Sequence, residues 1–113
     1  MPFIQVKTTE LLSAEQKEQL TQELCAITKE CLGKGENWIM TGVEDAVRLS
    51  FQGSTEKIAY VEVKCYGKPT ASGADTMTNR VGTLLEERFG IPADRVYVSY
   101  WGTDMWGWNG NNF

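Results

Sequence analysis

Apolar residues fall on a helical stripe at Leu20, Leu24, Ile27 and Cys31, which predicts an amphipathic helix over residues 14–32. Its start is written in Ser13 and Gln16, a capping-box pair in which each side chain reaches the other's backbone N–H. Leu12 stands just before them as a hydrophobic staple, and Gly33 follows as the C-terminal cap. A second stripe, Met77, Val81, Leu84 and Leu85, predicts a helix that begins near Ser72. Asp75 is expected in its first turn, and Gly90 with Pro92 beyond it ends it. Extended runs surround both helices: Phe3–Thr8 and Trp38–Val43 about the first, Ile58–Tyr66 and Arg95–Trp101 about the second. A short apolar run, Val47–Phe51, lies between.

An offset of 57 residues superposes these patterns. Leu20 falls on Met77, Leu24 on Val81 and Ile27 on Leu84; Leu32-Gly33 falls on Phe89-Gly90, Asn37 on Asp94 and Ile39 on Val96. Each half, about 2–57 and 58–113, reads as β-α-β within a single domain spanning 1–113. A helical crossover returns a strand parallel to its predecessor. The fold class is therefore α/β (α+β), a four-stranded mixed sheet with two helices on one face. Along Ile58–Tyr66, Ala59, Val61, Val63 and Cys65 alternate with Ile58, Tyr60, Glu62, Lys64 and Tyr66. The second set mixes aromatics with charges, a pattern suited to a subunit contact, so a homo-oligomer is expected.

Composition narrows the partners. Eleven basic against fifteen acidic side chains give a net charge of −4, and no basic run is present to grip phosphates, which argues against nucleic acid. No apolar stretch has the length of a membrane span and no signal-peptide layout opens the chain, so a cytoplasmic protein is expected, or one exported without a signal peptide. Cys25, Cys31 and Cys65 are odd in number and lack C-x-x-C spacing, so we expect neither a disulfide framework nor a metal site. No cofactor is called for.

With no histidine in the chain, the base with the most suitable pKa is an amine. Pro2 follows Met1 and opens a strand; removal of Met1 would leave Pro2 with a free secondary amine. An α-amino group has a pKa of about 7.7–8.0, so roughly a tenth is free base at neutral pH. Burial beside another cation lowers that value, and a fall of about two units would make roughly nine-tenths free base.

Several landmarks carry a resemblance. They are the Met1-Pro2 start, Leu32-Gly33-Lys34, the loop Phe51-x-Gly53-Ser54-x-Glu56, and Gly67. The stretch Pro92-Ala93-Asp94-Arg95-Val96-Tyr97-Val98-Ser99-Tyr100 and the terminal Gly107-Trp108-Asn109-Gly110-Asn111-Asn112-Phe113 complete them. In this order they resemble the macrophage migration inhibitory factor (MIF) family of the tautomerase superfamily. The resemblance implies a homotrimer with active sites at subunit interfaces. It also implies a keto–enol tautomerase acting on α-keto acids, aryl pyruvates such as phenylpyruvate and dopachrome-type surrogates among them. Pro2 matches the catalytic base, Lys34 the cation for the substrate carboxylate, and Tyr66 the residue whose backbone N–H holds substrate. Tyr97 and Ser99 would come from the neighbouring subunit. Trp38, Trp106, Trp108 and Phe113 would furnish aromatic walls, with the C-terminal rings packing across a subunit boundary.

The sequence also departs from the family. Ser99 stands where many animal members have asparagine, Tyr66 replaces a smaller aliphatic residue, and Ile58 and Val61 occupy the positions of the animal C-x-x-C. Other branches of the superfamily isomerise, decarboxylate or dehalogenate diacids gripped by arginine, for which Arg48, Arg80, Arg88 and Arg95 are available. A signalling ligand that binds a receptor without catalysis is the alternative of a different class.

Overall fold

The computed structural model describes all 113 residues. Pro2–Thr8 forms β1, Ala14–Leu32 forms α1, Met40–Glu44 forms β2 and Ala59–Tyr66 forms β3. Ala71–Phe89 is α2, Val96–Thr103 is β4, and Gly107–Trp108 with Asn111–Asn112 makes the small hairpin β5–β6. The sheet order is β2-β1-β3-β4. Strands β1 and β2 run parallel, as do β3 and β4, while β1 and β3 pair antiparallel in the centre. The mixed four-stranded sheet with two crossover helices is the arrangement that the duplicated pattern predicts.

The helix ends follow their local chemistry. Ser13 and Gln16 bond reciprocally, and Gly33 closes α1 with a left-handed φ of 66° that glycine adopts without a Cβ clash. In α2 the cap is Thr70, whose hydroxyl accepts from Gly73 N–H, so the helix starts before Ser72 and Asp75 lies beyond its first turn. The offset of 57 carries Ser13 onto Thr70 and α1 onto α2 residue for residue. Trp38 also departs from expectation. It ends a 3-10 turn, Glu36–Trp38, and β2 begins only at Met40; Ala93–Arg95 repeats that turn in the second half.

One core lies between the helices and one face of the sheet. Ile4 and Val6 of β1 and Val61 and Val63 of β3 meet Leu20 and Leu24 of α1 and Met77, Val81 and Leu85 of α2. Val96, Val98 and Tyr100 pack at its rim. The opposite face carries Tyr60, Glu62, Lys64 and Tyr66 in partial or full exposure, as the alternation predicts. Ile58 does not join them: it precedes the strand and is buried. Lys7 and Lys64 both approach Glu62 there, at 3.8 and 3.6 Å. No helix is long and apolar enough to cross a membrane.

Candidate active site

Pro2 is buried at the start of β1, directly opposite Cys65 of β3. This end of the sheet opens into a cavity of about 230 Å³, walled by Met1, Phe3, Asn37, Trp38, Trp106 and Trp108 among others. The walls come from three separate pieces of chain. The 3-10 turn after α1 presents Trp38, and the hairpin at the C-terminus folds back to lay Trp108 edge-on against it, ring centroids 4.9 Å apart at 80°. Edge-to-face contact sets the negative face of one ring against the positive edge of the other. Phe113 N–H donates to the Trp106 carbonyl at 3.0 Å, and the Phe113 ring rests 5.4 Å from that of Tyr66. The tail thus folds back over its own chain. Trp108 and Phe113 remain about half exposed.

The electrostatics around the amino terminus favour a neutral amine. Burial, and then the nearby Lys34 ammonium, pull the Met1 amino group below its ordinary pKa, with the Cys65 thiol opposing them. Burial pushes the Cys65 thiol up, while Lys34 and the terminal amine draw it down. Lys34 therefore lies within electrostatic reach of the chain start, and it forms no ion pair of its own. Tyr66 N–H donates to the Met1 carbonyl at 3.2 Å, so that amide points at the ground just in front of Pro2. With Met1 in place the Pro2 nitrogen is an amide and carries no base chemistry.

Pro2, Lys34, Trp38, Tyr66, Trp106, Trp108 and Phe113 form one neighbourhood. Tyr97 and Ser99 do not belong to it within the chain. Tyr97 is opposite Tyr60 and Ser99 opposite Glu62, whereas Pro2 is opposite Cys65. Five residues of strand separate Tyr60 from Cys65, roughly 17 Å. Tyr97 also points from the face away from the helices, is 62% exposed, and makes no hydrogen bond through its hydroxyl within the chain. Ser99 is engaged on both sides: its hydroxyl meets Tyr60 OH at 2.8 Å and accepts from Trp101 Nε1 at 3.0 Å. Whichever way the Tyr60–Ser99 proton points, one O–H of the pair is left free to donate outward.

Phe3, Asn37 and Met40 line the cavity without having been read from the sequence. The signal for Phe3 and Met40 was available, since parallel pairing of the first two strands sets them side by side. No arginine of the chain is among the residues that line the cavity. A larger hollow of about 420 Å³ lies between α1 and α2, but its Arg88 and Arg80 are already paired with Glu23 and Glu30.

A strand-initial proline at the mouth of an aromatic cavity, on duplicated β-α-β units, is the architecture of the tautomerase superfamily. The family model described as macrophage migration inhibitory factor (MIF) matches residues 1–113. A solved structure of Leishmania major MIF2 is 40% identical, with a TM-score of 0.93 over 100% of this chain and 97% of that one. The MIF homologue of Prochlorococcus marinus is 36% identical over 98% of each chain, with a TM-score of 0.87. Macrophage migration inhibitory factor of Meriones unguiculatus is 30% identical over 97 residues, covering 84% of this chain and 81% of the relative. The chain belongs to the MIF family.

Proposed function

We propose that this protein is a keto–enol tautomerase of aryl pyruvates, phenylpyruvate-like α-keto acids, with the Pro2 amine as base once Met1 has been removed. The observation that carries the reading is the joint placement of Pro2, Lys34 and the Tyr66 amide beside a cavity walled by tryptophans. Lys34 would receive the substrate carboxylate. The Tyr66 N–H, which now holds the Met1 carbonyl, would be released to bind a substrate oxygen when Met1 leaves. Trp38 and Trp108 offer faces and edges for an aryl ring.

In the reaction the Pro2 nitrogen takes the enol hydroxyl proton, and the resulting enolate is protonated by the same ammonium at the α-carbon, giving the keto acid. The two transfers run in reverse for enolisation, so no net proton is consumed. The developing enolate oxygen needs a donor, and the unengaged Tyr97 hydroxyl is suited to that role. Register keeps Tyr97 roughly 17 Å away along its own strand. It therefore serves the Pro2 of a second copy, which is the support for a homotrimer that shares its sites between neighbours.

Phenylpyruvate turnover by the Met1-processed protein tests the reading. Pro2→Gly keeps the chain start but replaces the secondary amine with a more flexible primary one, and turnover is expected to fall by about a hundredfold or more. Unchanged turnover in Pro2→Gly would overturn the assignment of the base.

A further inference from the structure

Two landmarks of the sequence play no part in the chemistry above: the loop Phe51-x-Gly53-Ser54-x-Glu56 and the arginine that precedes β4. They are one unit in the structure. Arg95 donates from Nε to the Glu56 carbonyl at 2.8 Å, from Nη1 to the Phe51 carbonyl at 3.1 Å and from Nη2 to the Ser54 carbonyl at 3.1 Å. Each guanidinium nitrogen thus holds a different backbone oxygen of the loop, a geometry that a planar fork provides and a lysine ammonium does not.

The loop needs such a hold. Phe51 and Ser54 exchange two backbone hydrogen bonds, 2.9 and 3.0 Å, across a two-residue turn. Gln52 at φ 53° and Gly53 at φ 74° both sit in the left-handed region, and Lys57 follows at φ 43°. Non-glycine residues persist there only when the surroundings over-determine them. The guanidinium also lies 5.4 Å from the centroid of the Phe51 ring. Phe51 in turn meets the Tyr97 ring edge-on, centroids 4.9 Å apart at 61°. These rings form part of the wall of a mostly apolar hollow of about 160 Å³, lined also by Leu49, Ile58 and Ala59. Room is therefore available for the Tyr97 ring to sag if Phe51 is released.

We propose that Arg95 is a positioning residue of the tautomerase site: by clamping residues 51–56 it fixes Phe51, and Phe51 holds the otherwise exposed Tyr97 hydroxyl in place for the neighbouring subunit. Arg95 acts through the loop: each of its three nitrogens is bonded to a carbonyl of its own chain. The inference rests on the reading of Tyr97 as the enolate donor.

A double-mutant cycle on the Met1-processed protein tests it, with Arg95→Lys, Tyr97→Phe and the pair, each checked for wild-type oligomeric state. Arg95→Lys is expected to lower kcat by about tenfold with KM nearly unchanged, since a displaced donor acts on the transition state. In the Tyr97→Phe background the same change is expected to have no further effect, because the residue it positions has lost its hydroxyl. The amides of residues 51–57 are expected to exchange faster in Arg95→Lys. An equal loss in both backgrounds would overturn the route through Tyr97, and unchanged loop exchange would overturn the clamp. If Tyr97→Phe alone has full activity, the donor role fails while the exchange data still decide whether the clamp exists.

Discussion

In the proposed function Lys34 acts on the amino terminus and on the carboxylate of a substrate with the same charge. Burial and the Lys34 ammonium both lower the pKa of the amine at the start of the chain. They do so by destabilising its protonated form, so the proton is lost at a lower pH than from an unperturbed amine. Replacing Lys34 with Met removes the second of these influences, so the amine pKa rises. The ascending limb of kcat/KM against pH is expected to move to higher pH, and KM for phenylpyruvate to rise by about tenfold as the charge-assisted contact is lost. A pH–rate profile with an unmoved limb would separate Lys34 from the base. Tyr97→Phe is a different test, because in the proposed reaction the hydroxyl acts on the enolate. It is expected to lower kcat by about tenfold or more with a smaller change in KM. Most of these residues were legible in the sequence because each carries chemistry at a recognisable place: a proline behind the initiator, a lysine behind a helix cap, rings among glycines. What touches what was not. That Trp38 meets Trp108 and Tyr66 meets Phe113 depends on the tail folding back, for which periodicity carries no signal.

The elements repeat more strictly than their side chains do. At Gly73 in α2, an added Cβ would come within 2.6 Å of the Cys31 carbonyl, where the first turn of α2 crosses the end of α1. At Gly82, also in α2, nothing lies within 4 Å of the same position. Two Gly→Ala substitutions in one helix are therefore expected to act with opposite signs. Gly73→Ala should destabilise by about 1–3 kcal/mol through a backbone clash, and Gly82→Ala should stabilise by about 0.5–1 kcal/mol through reduced chain entropy in the unfolded state. Denaturant unfolding of both reads the difference directly. Helix existence and ends were legible because caps and stripes are local. The start of α2 was misread because Ser72 and Asp75 imitate a first turn, although the repeat itself points to Thr70. Trp38 was misread because an aromatic beside apolar residues fits a strand pattern as well as it fits a 3-10 turn. The bond between Arg95 and the 51–56 loop spans about forty residues and had no local trace at all.

The whole molecule leaves two half-equipped surfaces. One end of the sheet holds Pro2, Lys34 and the aromatic cavity; the edge strand β4 presents Tyr97 and Ser99 on the other face. In the proposed function neither completes the site alone, and a ring of copies joined head to tail would complete as many sites as it has subunits. Mixing Pro2→Gly with Tyr97→Phe under conditions that exchange subunits should then restore wild-type pairing in about a quarter of the sites. Activity equal to the average of the two separate variants would mean that each chain serves itself. The proposed reaction depends most on the first peptide bond. While Met1 is attached, its carbonyl holds the Tyr66 amide and the Pro2 nitrogen is not basic. Intact mass and phenylpyruvate turnover measured on the same preparations, with Met1 retained and with Met1 removed, test this most directly. Turnover should rise in proportion to the fraction of chains that begin at Pro2; full turnover from chains that keep Met1 would contradict the assignment of the base.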